Sequence, residues 1–149
     1  DGALRSQVEE VIRQHHLERQ VLLCGWRRDI PQVLSLCDIF VLTSLWEGMP
    51  IAVIEAMYSS LSVVVSDTGG VGELVRSGEN GFLVPVHDIQ SMAKTVIALL
   101  RSREKRLDVG RKAKETITQE QEYRYETMLQ DTQKLYESLL KGTGNAFSN

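Results

Sequence analysis

Residues 38–66 read Asp38-Ile-Phe-Val-Leu-Thr-Ser-Leu-Trp-Glu-Gly-Met-Pro-Ile-Ala-Val-Ile-Glu-Ala-Met-Tyr-Ser-Ser-Leu-Ser-Val-Val-Val-Ser66, and this stretch decides the fold. It opens and closes on short apolar runs, 38–43 and 62–66, which are continuous and do not alternate with polar residues. Runs of that kind are strands covered on both faces, as in a parallel sheet. Between them Gly48 and Pro50 prevent one helix from running through both Glu47 and Glu55. The spacing therefore predicts a loop over 44–50 and a helix over 51–59. Pro50 fits the first helical turn, where its missing N–H is harmless. Strand, loop, helix and strand in that order make a parallel crossover unit.

The same alternation extends in both directions. Upstream, Leu4, Val8, Val11 and Ile12 recur at helical spacing, predicting a helix over 3–15. Val21-Leu-Leu-Cys-Gly25 reads as a buried strand. Trp26-Arg-Arg-Asp-Ile-Pro31 reads as a loop, with Asp29 as N-cap of a helix over 30–36. Downstream come a loop, Asp67-Thr-Gly-Gly70, a helix over 71–75, a turn at Ser77-Gly-Glu-Asn-Gly81, and a strand, Phe82-Leu-Val84, stopped by Pro85. Asp88 caps a helix whose apolar face is Ile89, Met92, Ala93, Val96, Ile97 and Leu100. A charged helix follows over 103–118. A last helix over 122–140 carries a stripe of Tyr125, Met128, Leu129, Thr132, Leu135, Tyr136 and Leu139, expected to pack. Four strands alternating with helices predict an α/β, Rossmann-like parallel sheet flanked by helices, filling one domain over 1–140, with a disordered tail over 141–149.

Composition limits the function classes. The chain has 149 residues, 42% hydrophobic and 25% charged, which fits one soluble domain. A net charge of −3 lacks the basic face of a nucleic-acid binder. No apolar run approaches the roughly 20 residues of a membrane helix, and Asp1-Gly-Ala-Leu-Arg5 is no signal peptide. Cys24 and Cys37 lie in or beside apolar runs and are expected to be buried, reduced thiols of a cytoplasmic protein. No Cys/His spacing suits a metal.

Ligands of such sheets bind at the C-terminal ends of the strands. Three Gly-bearing loops are predicted there: Gly25-Trp-Arg, Ser44-Leu-Trp-Glu-Gly and Asp67-Thr-Gly-Gly. Glu47 on a loop, the unpaired N–H groups of a helix start, and Glu55 about one turn in suit a ligand with hydroxyls at both ends and phosphate between. A nucleotide-sugar has that layout. Other readings stand beside this one. Trp26 serves equally as a cover for the sheet edge, Trp46 as packing, Arg27 and Arg28 as surface charges, and Glu73 as a first-turn helix acid. His15 and His16 end a helix and favour its dipole. A glycoside hydrolase pair is disfavoured by the Rossmann-like loops.

These segments resemble the C-terminal half of the GT-B glycosyltransferases of family 4, the retaining group 1 enzymes. The residues that carry the resemblance are Asp1-Gly-Ala-Leu4, Val21-Leu-Leu-Cys-Gly25, 37–44, 47–57, Val64-Val-Ser-Asp-Thr-Gly-Gly70, Glu73-Leu-Val75 and Asn80-Gly-Phe-Leu-Val-Pro85. The resemblance implies that Glu47 binds hydroxyls of the donor hexose and acts at the reacting centre. It implies that Gly48, Met49, Pro50 and Ile51 approach sugar and diphosphate, that Glu55 binds the ribose, and that Trp26 and Arg27 lie along the base. It further implies transfer of a hexose from a UDP- or GDP-sugar with retention, in polysaccharide biosynthesis, with no cofactor and no metal. By the family pattern the chain lacks the first two strands of this half and the N-terminal acceptor domain, so the fragment alone is expected to be inactive, and its terminal helix, which in similar enzymes crosses back towards that domain, is expected to be left partly exposed. Ser60 and Ser62 stand where the family usually has Gly and Pro, and Gly72 where Pro is common. Two alternatives remain open: a degenerate, non-catalytic binding module, and a UDP-sugar epimerase-like protein.

Overall fold

The computed structural model describes residues 2–119 and 125–143. The chain forms two compact units, the first ending at Val33 and the second starting at Leu34.

In the first unit α1 (Arg5–Gln14) forms as its periodicity predicts, but Leu4, Val8 and Val11 stay exposed. The helix stops through a left-handed residue, His16 at φ 54°. Leu17 N–H reaches back to Ile12 O at 2.9 Å and His16 N–H to Arg13 O at 3.1 Å, the paired bonds that satisfy a helix C-terminus. The predicted strand at Val21-Leu-Leu-Cys-Gly25 is corrected: these residues form no strand, and Leu22 is 83% exposed. An apolar run supplies side chains for a buried strand, but the strand exists only where a neighbour takes its N–H and C=O groups. Among the described residues no ladder partner is present. Cys24 is accordingly exposed, as is Cys37 in the second unit, which corrects the expected burial of both thiols. A short helix, α2 (Ile30–Ser35), begins where Asp29 O accepts from Val33 N–H at 3.1 Å.

The second unit holds β1 (Ile39–Leu42), α3 (Ile51–Tyr58), β2 (Ser62–Asp67), α4 (Val71–Leu74), β3 (Phe82–Pro85), α5 (Ile89–Arg101), α6 (Arg103–Gln119) and α7 (Tyr125–Thr143). The sheet order is β1-β2-β3 and both pairs are parallel, with Ile39 opposite Ser62 and Val64 opposite Phe82. The α/β Rossmann-like class is as predicted, with three strands where four were expected. Central β2 is the strand that its sequence describes: Val63, Val64 and Val65 are all fully buried, so both of its faces are covered. On one face Val64, Val84 and Leu99 form a core cluster, with Ile39, Phe82, Met92 and Val96 packed against it. The predicted face of α5 is thus only half used, because Ile89, Ile97 and Leu100 remain exposed. Asp88 caps α5 as predicted, its carboxylate accepting from Ser91 N–H at 2.9 Å. That bond holds Asp88 below the usual carboxylate range.

Two departures from the family pattern fall at defined places in the structure. Ser60 follows α3 at φ 62°. Leu61 N–H bonds Ala56 O at 3.1 Å and Ser60 N–H bonds Met57 O at 3.0 Å, so Ser60 occupies the left-handed cap position that glycine favours. Ser62 is fully buried and its hydroxyl donates to Arg106 O at 2.7 Å, which ties β2 to α6. Asn80 is also fully buried. Its Oδ1 accepts from Arg76 N–H at 2.7 Å, and its Nδ2 donates to Leu74 O and to Thr116 Oγ1, both at 3.1 Å. One amide thereby satisfies the end of α4 and joins it to α6.

The stripe on α7 is present, and Met128, Leu129, Leu135, Tyr136 and Leu139 are exposed, the outcome that the family pattern implied, and not the packing that the stripe alone suggested. The expected start of that helix at 122–124 lies outside the described residues. So does the tail from 144 onward, while 141–143 continue the helix. Among the described residues no helix is long and apolar enough to cross a membrane.

Candidate functional site

The site is built where the loop after β1 meets the loop after β2. Both strands run parallel, so both loops leave the sheet at its C-terminal edge. The first loop carries Glu47, which is half-buried. Ser44 Oγ donates to Glu47 Oε1 at 2.7 Å, fixing the carboxylate within its own loop. The second loop grips the first. Thr68 Oγ1 donates to Leu45 O at 3.2 Å and Gly70 N–H to Gly48 O at 3.0 Å. Gly69 lies between them at φ 54°, and a Cβ there would stand 1.7 Å from Glu47 O. A Cβ on Gly70 would stand 2.6 Å from Gly48 O. Only glycine permits this approach.

Pro50 is the N-cap of α3, at φ −75° and ψ 105°, one position earlier than predicted. Its carbonyl accepts from Val53 N–H at 3.0 Å and Ile54 N–H at 3.4 Å. Proline offers no side-chain cap, so the N–H groups of Ile51 and Ala52 are left for something outside the helix. Glu55 is the fifth residue of α3, about 6 Å along its axis from Ile51, and is exposed. Gly48, Met49 and Ile51 are exposed and Pro50 is buried. The predicted residues 47–51 and Glu55 thus form one continuous loop-and-helix-start feature.

Trp26 and Arg27 belong to the first unit. Trp26 is 86% exposed. Arg27 is ion-paired with Asp29, which keeps the Asp29 carboxyl below its usual range through that side-chain hydrogen bond first and its own N–H second. Among the described residues no cluster of His, Cys, Asp or Glu could hold a metal.

Sequence reasoning assigned no role to Ser44, Thr68, Gly69 or Gly70 in holding Glu47. The Ser-x-x-Glu spacing was a usable signal for the first, since a hydroxyl three residues away reaches a turn carboxylate. A cavity of about 330 Å³ is lined in part by Thr43, Leu45, Ser66, His87 and Met92 and includes none of the predicted residues.

A family model described as group 1 glycosyl transferases matches residues 1–116. An Escherichia coli UDP-Gal:alpha-D-GlcNAc-diphosphoundecaprenol alpha-1,3-galactosyltransferase is 44% identical over 82 residues, 55% of this chain and 21% of that protein. The C-terminal domain of a group 1 glycosyl transferase, LpcC, from Francisella tularensis superposes with a TM-score of 0.73 at 25% identity, covering 78% of this chain and 62% of that one. The Anabaena protein Alr3699/HepE, solved in complex with UDP, superposes with a TM-score of 0.82 at 28% identity, covering 89% of this chain and 36% of that one. The chain spans about a fifth to a third of the length of the curated relatives it matches.

Proposed function

The chain belongs to the group 1 glycosyltransferases, and from that membership we propose that it is the donor-binding part of an enzyme that moves a hexose from a nucleoside diphosphate sugar to a growing glycan with retention at the anomeric carbon. The observation that carries the reading is the half-buried Glu47 carboxylate, held by Ser44 beside the uncapped start of α3. In this reading Glu47 accepts hydroxyls of the hexose and stabilises positive charge on its ring as the bond to the diphosphate weakens. The N–H groups of Ile51 and Ala52 take up negative charge on the departing diphosphate. Gly48 and Met49 leave the backbone open to it, and Glu55 accepts the ribose hydroxyls. The chemistry needs no metal, and the reaction is cytoplasmic. UDP is favoured over GDP by the UDP-Gal named for the E. coli relative and the UDP bound in the Anabaena structure.

The acceptor is the business of residues beyond this chain, and the chain by itself transfers no sugar. The alternative of a degenerate binding module rests on Ser60 and Ser62: Ser62 has a structural role in its bond to Arg106 O, whereas Ser60 takes a left-handed conformation that glycine would hold without strain.

Thermal unfolding with UDP, GDP and their sugars tests the reading. A ligand at 100 times its Kd adds about 2.7 kcal/mol. UDP should raise the transition of the wild type, and Glu55→Ala should remove most of that rise. A transition unmoved by any nucleotide would return the binding-module reading, and turnover by the purified chain would contradict the division of labour.

A further inference from the structure

Glu47 sits on a loop with no regular secondary structure, yet the loop is held at nearly every residue. Ser44 Oγ fixes Oε1 of the carboxylate at 2.7 Å. Thr68 Oγ1 takes Leu45 O at 3.2 Å, and Gly70 N–H takes Gly48 O at 3.0 Å. The Glu47 carbonyl is pressed against Gly69, where no side chain fits. The Trp46 side chain is 79% exposed. The carboxylate is thus fixed twice, once through its own oxygen and once through the backbone on both sides of it.

We propose that Ser44 and Thr68 are positioning residues that set how tightly the hexose of the donor is held, and so tell a UDP-sugar from UDP. The inference rests on the reading of Glu47 as the group that accepts sugar hydroxyls. Its physical ground is the steep dependence of a hydrogen-bonding array on geometry. A carboxylate free to swing loses orientation on binding sugar, whereas one already held loses little. Ser44 occupies a lone pair of Oε1 and makes no bond to Oε2, which stays an acceptor for a hydroxyl donor. Thr68 acts at one remove, through the carbonyl of Leu45. Neither side chain is needed for the core: Ser44 and Thr68 are only half-buried, the Ser44 bond lies within its own loop, and the Thr68 bond joins the two loops.

Calorimetric titration of this chain with UDP, UDP-glucose and UDP-galactose tests the proposal. Ser44→Ala and Thr68→Val should each weaken binding of the preferred UDP-sugar about five- to tenfold while leaving UDP within about twofold, as expected for losing one charge-assisted or one backbone-anchoring hydrogen bond. Ser44→Thr and Thr68→Ser, which keep the hydroxyls, should restore binding. Glu47→Gln serves as the reference. If it weakens the UDP-sugar and Ser44→Ala and Thr68→Val do not, the positioning role is wrong and the reading of Glu47 stands. If Glu47→Gln changes nothing, both fall. Equal loss of UDP and UDP-sugar in the Ser44 and Thr68 variants also overturns the proposal, because the two side chains would then be merely structural. So does absence of sugar-nucleotide binding by the wild type, since every part of the clamp lies within residues 44–70.

Discussion

At the scale of single residues, neighbouring glycines have opposite meanings. Gly69 at φ 54° has no room for a Cβ, which would sit 1.7 Å from Glu47 O. Gly72, three positions on, is in α4 and has nothing within 4 Å of its Cβ position. Gly69→Ala must therefore shift both loops and is expected to destabilise by about 2–4 kcal/mol, combining left-handed strain with a backbone clash. Gly72→Ala should instead be neutral to stabilising by up to about 1 kcal/mol, because alanine is the better helix former. Urea unfolding of the pair checks the sign of each. None of this difference is legible in the sequence, where Asp67-Thr-Gly-Gly70 announces a loop at the ligand-binding edge but not which glycine is pressed against another backbone. The clamp is a contact between two loops separated by β2 and α3, and spacing along a chain carries no information about it. Asn80 is a similar case: it looked like a turn residue, but its amide is a buried three-way junction. The acid pair and the helix start between them were legible, because Gly48 and Pro50 fix local geometry by themselves.

At the scale of elements, caps and close approaches decide how the helices meet the sheet. The turn from α3 into β2 puts Ser60 at φ 62° where glycine would be unstrained. Ser60→Gly is expected to stabilise by about 0.5–1 kcal/mol, the relief of left-handed strain less the added freedom of the unfolded chain. The same turn presses on α6, since a Cβ on Gly110 would stand 2.1 Å from Ser60 O. Gly110→Ala, helpful in an open helix, should here destabilise by about 1–3 kcal/mol by overpacking. Thermal midpoints moving in opposite directions for these two variants would confirm both. Asp88 gives the elements a pH signature. Its pKa is lowered by the N–H and side chain of Ser91, so its capping contribution is complete above the ordinary aspartate range and is lost as pH falls through the lowered value. Asp88→Asn keeps an amide oxygen for the cap and removes the titration, so the acid limb of the stability curve should be shallower than in the wild type, as read from midpoints measured between about pH 2 and 6. Elements whose evidence is local, such as the Asp88 cap and the periodicity of α1 and α5, were readable in advance. How much of the α5 face is covered was not, because the amphipathic pattern gives the stripe and says nothing of the width of what lies opposite.

At the scale of the whole molecule, the difference between the two units has the largest consequence. The second unit has a central strand with three consecutive fully buried valines, a cluster on Leu99, and helices α3 and α6 packed together against β2. The first unit has no buried residue in α1 and no ladder for the apolar run at 21–25. That run was misread as a strand because hydrophobicity reports what a segment could bury, whereas a parallel strand also needs neighbours on the hydrogen-bonding side. Burial and paired backbone are the two sources of resistance to local opening, and the first unit is poor in both. Its helix is ten residues long, below the length at which helices persist in water without packing. Amide hydrogen exchange should therefore divide the chain. Amides of Val63, Val64 and Val65 should exchange only through global unfolding, while those of α1 should exchange at least about a hundredfold faster through local opening. Adding UDP should slow exchange across 45–55, where the proposed ligand meets the loop and the start of α3. Uniform protection of both units would mean that α1 gains its stability from packing that its exposed Leu4, Val8 and Val11 do not reveal.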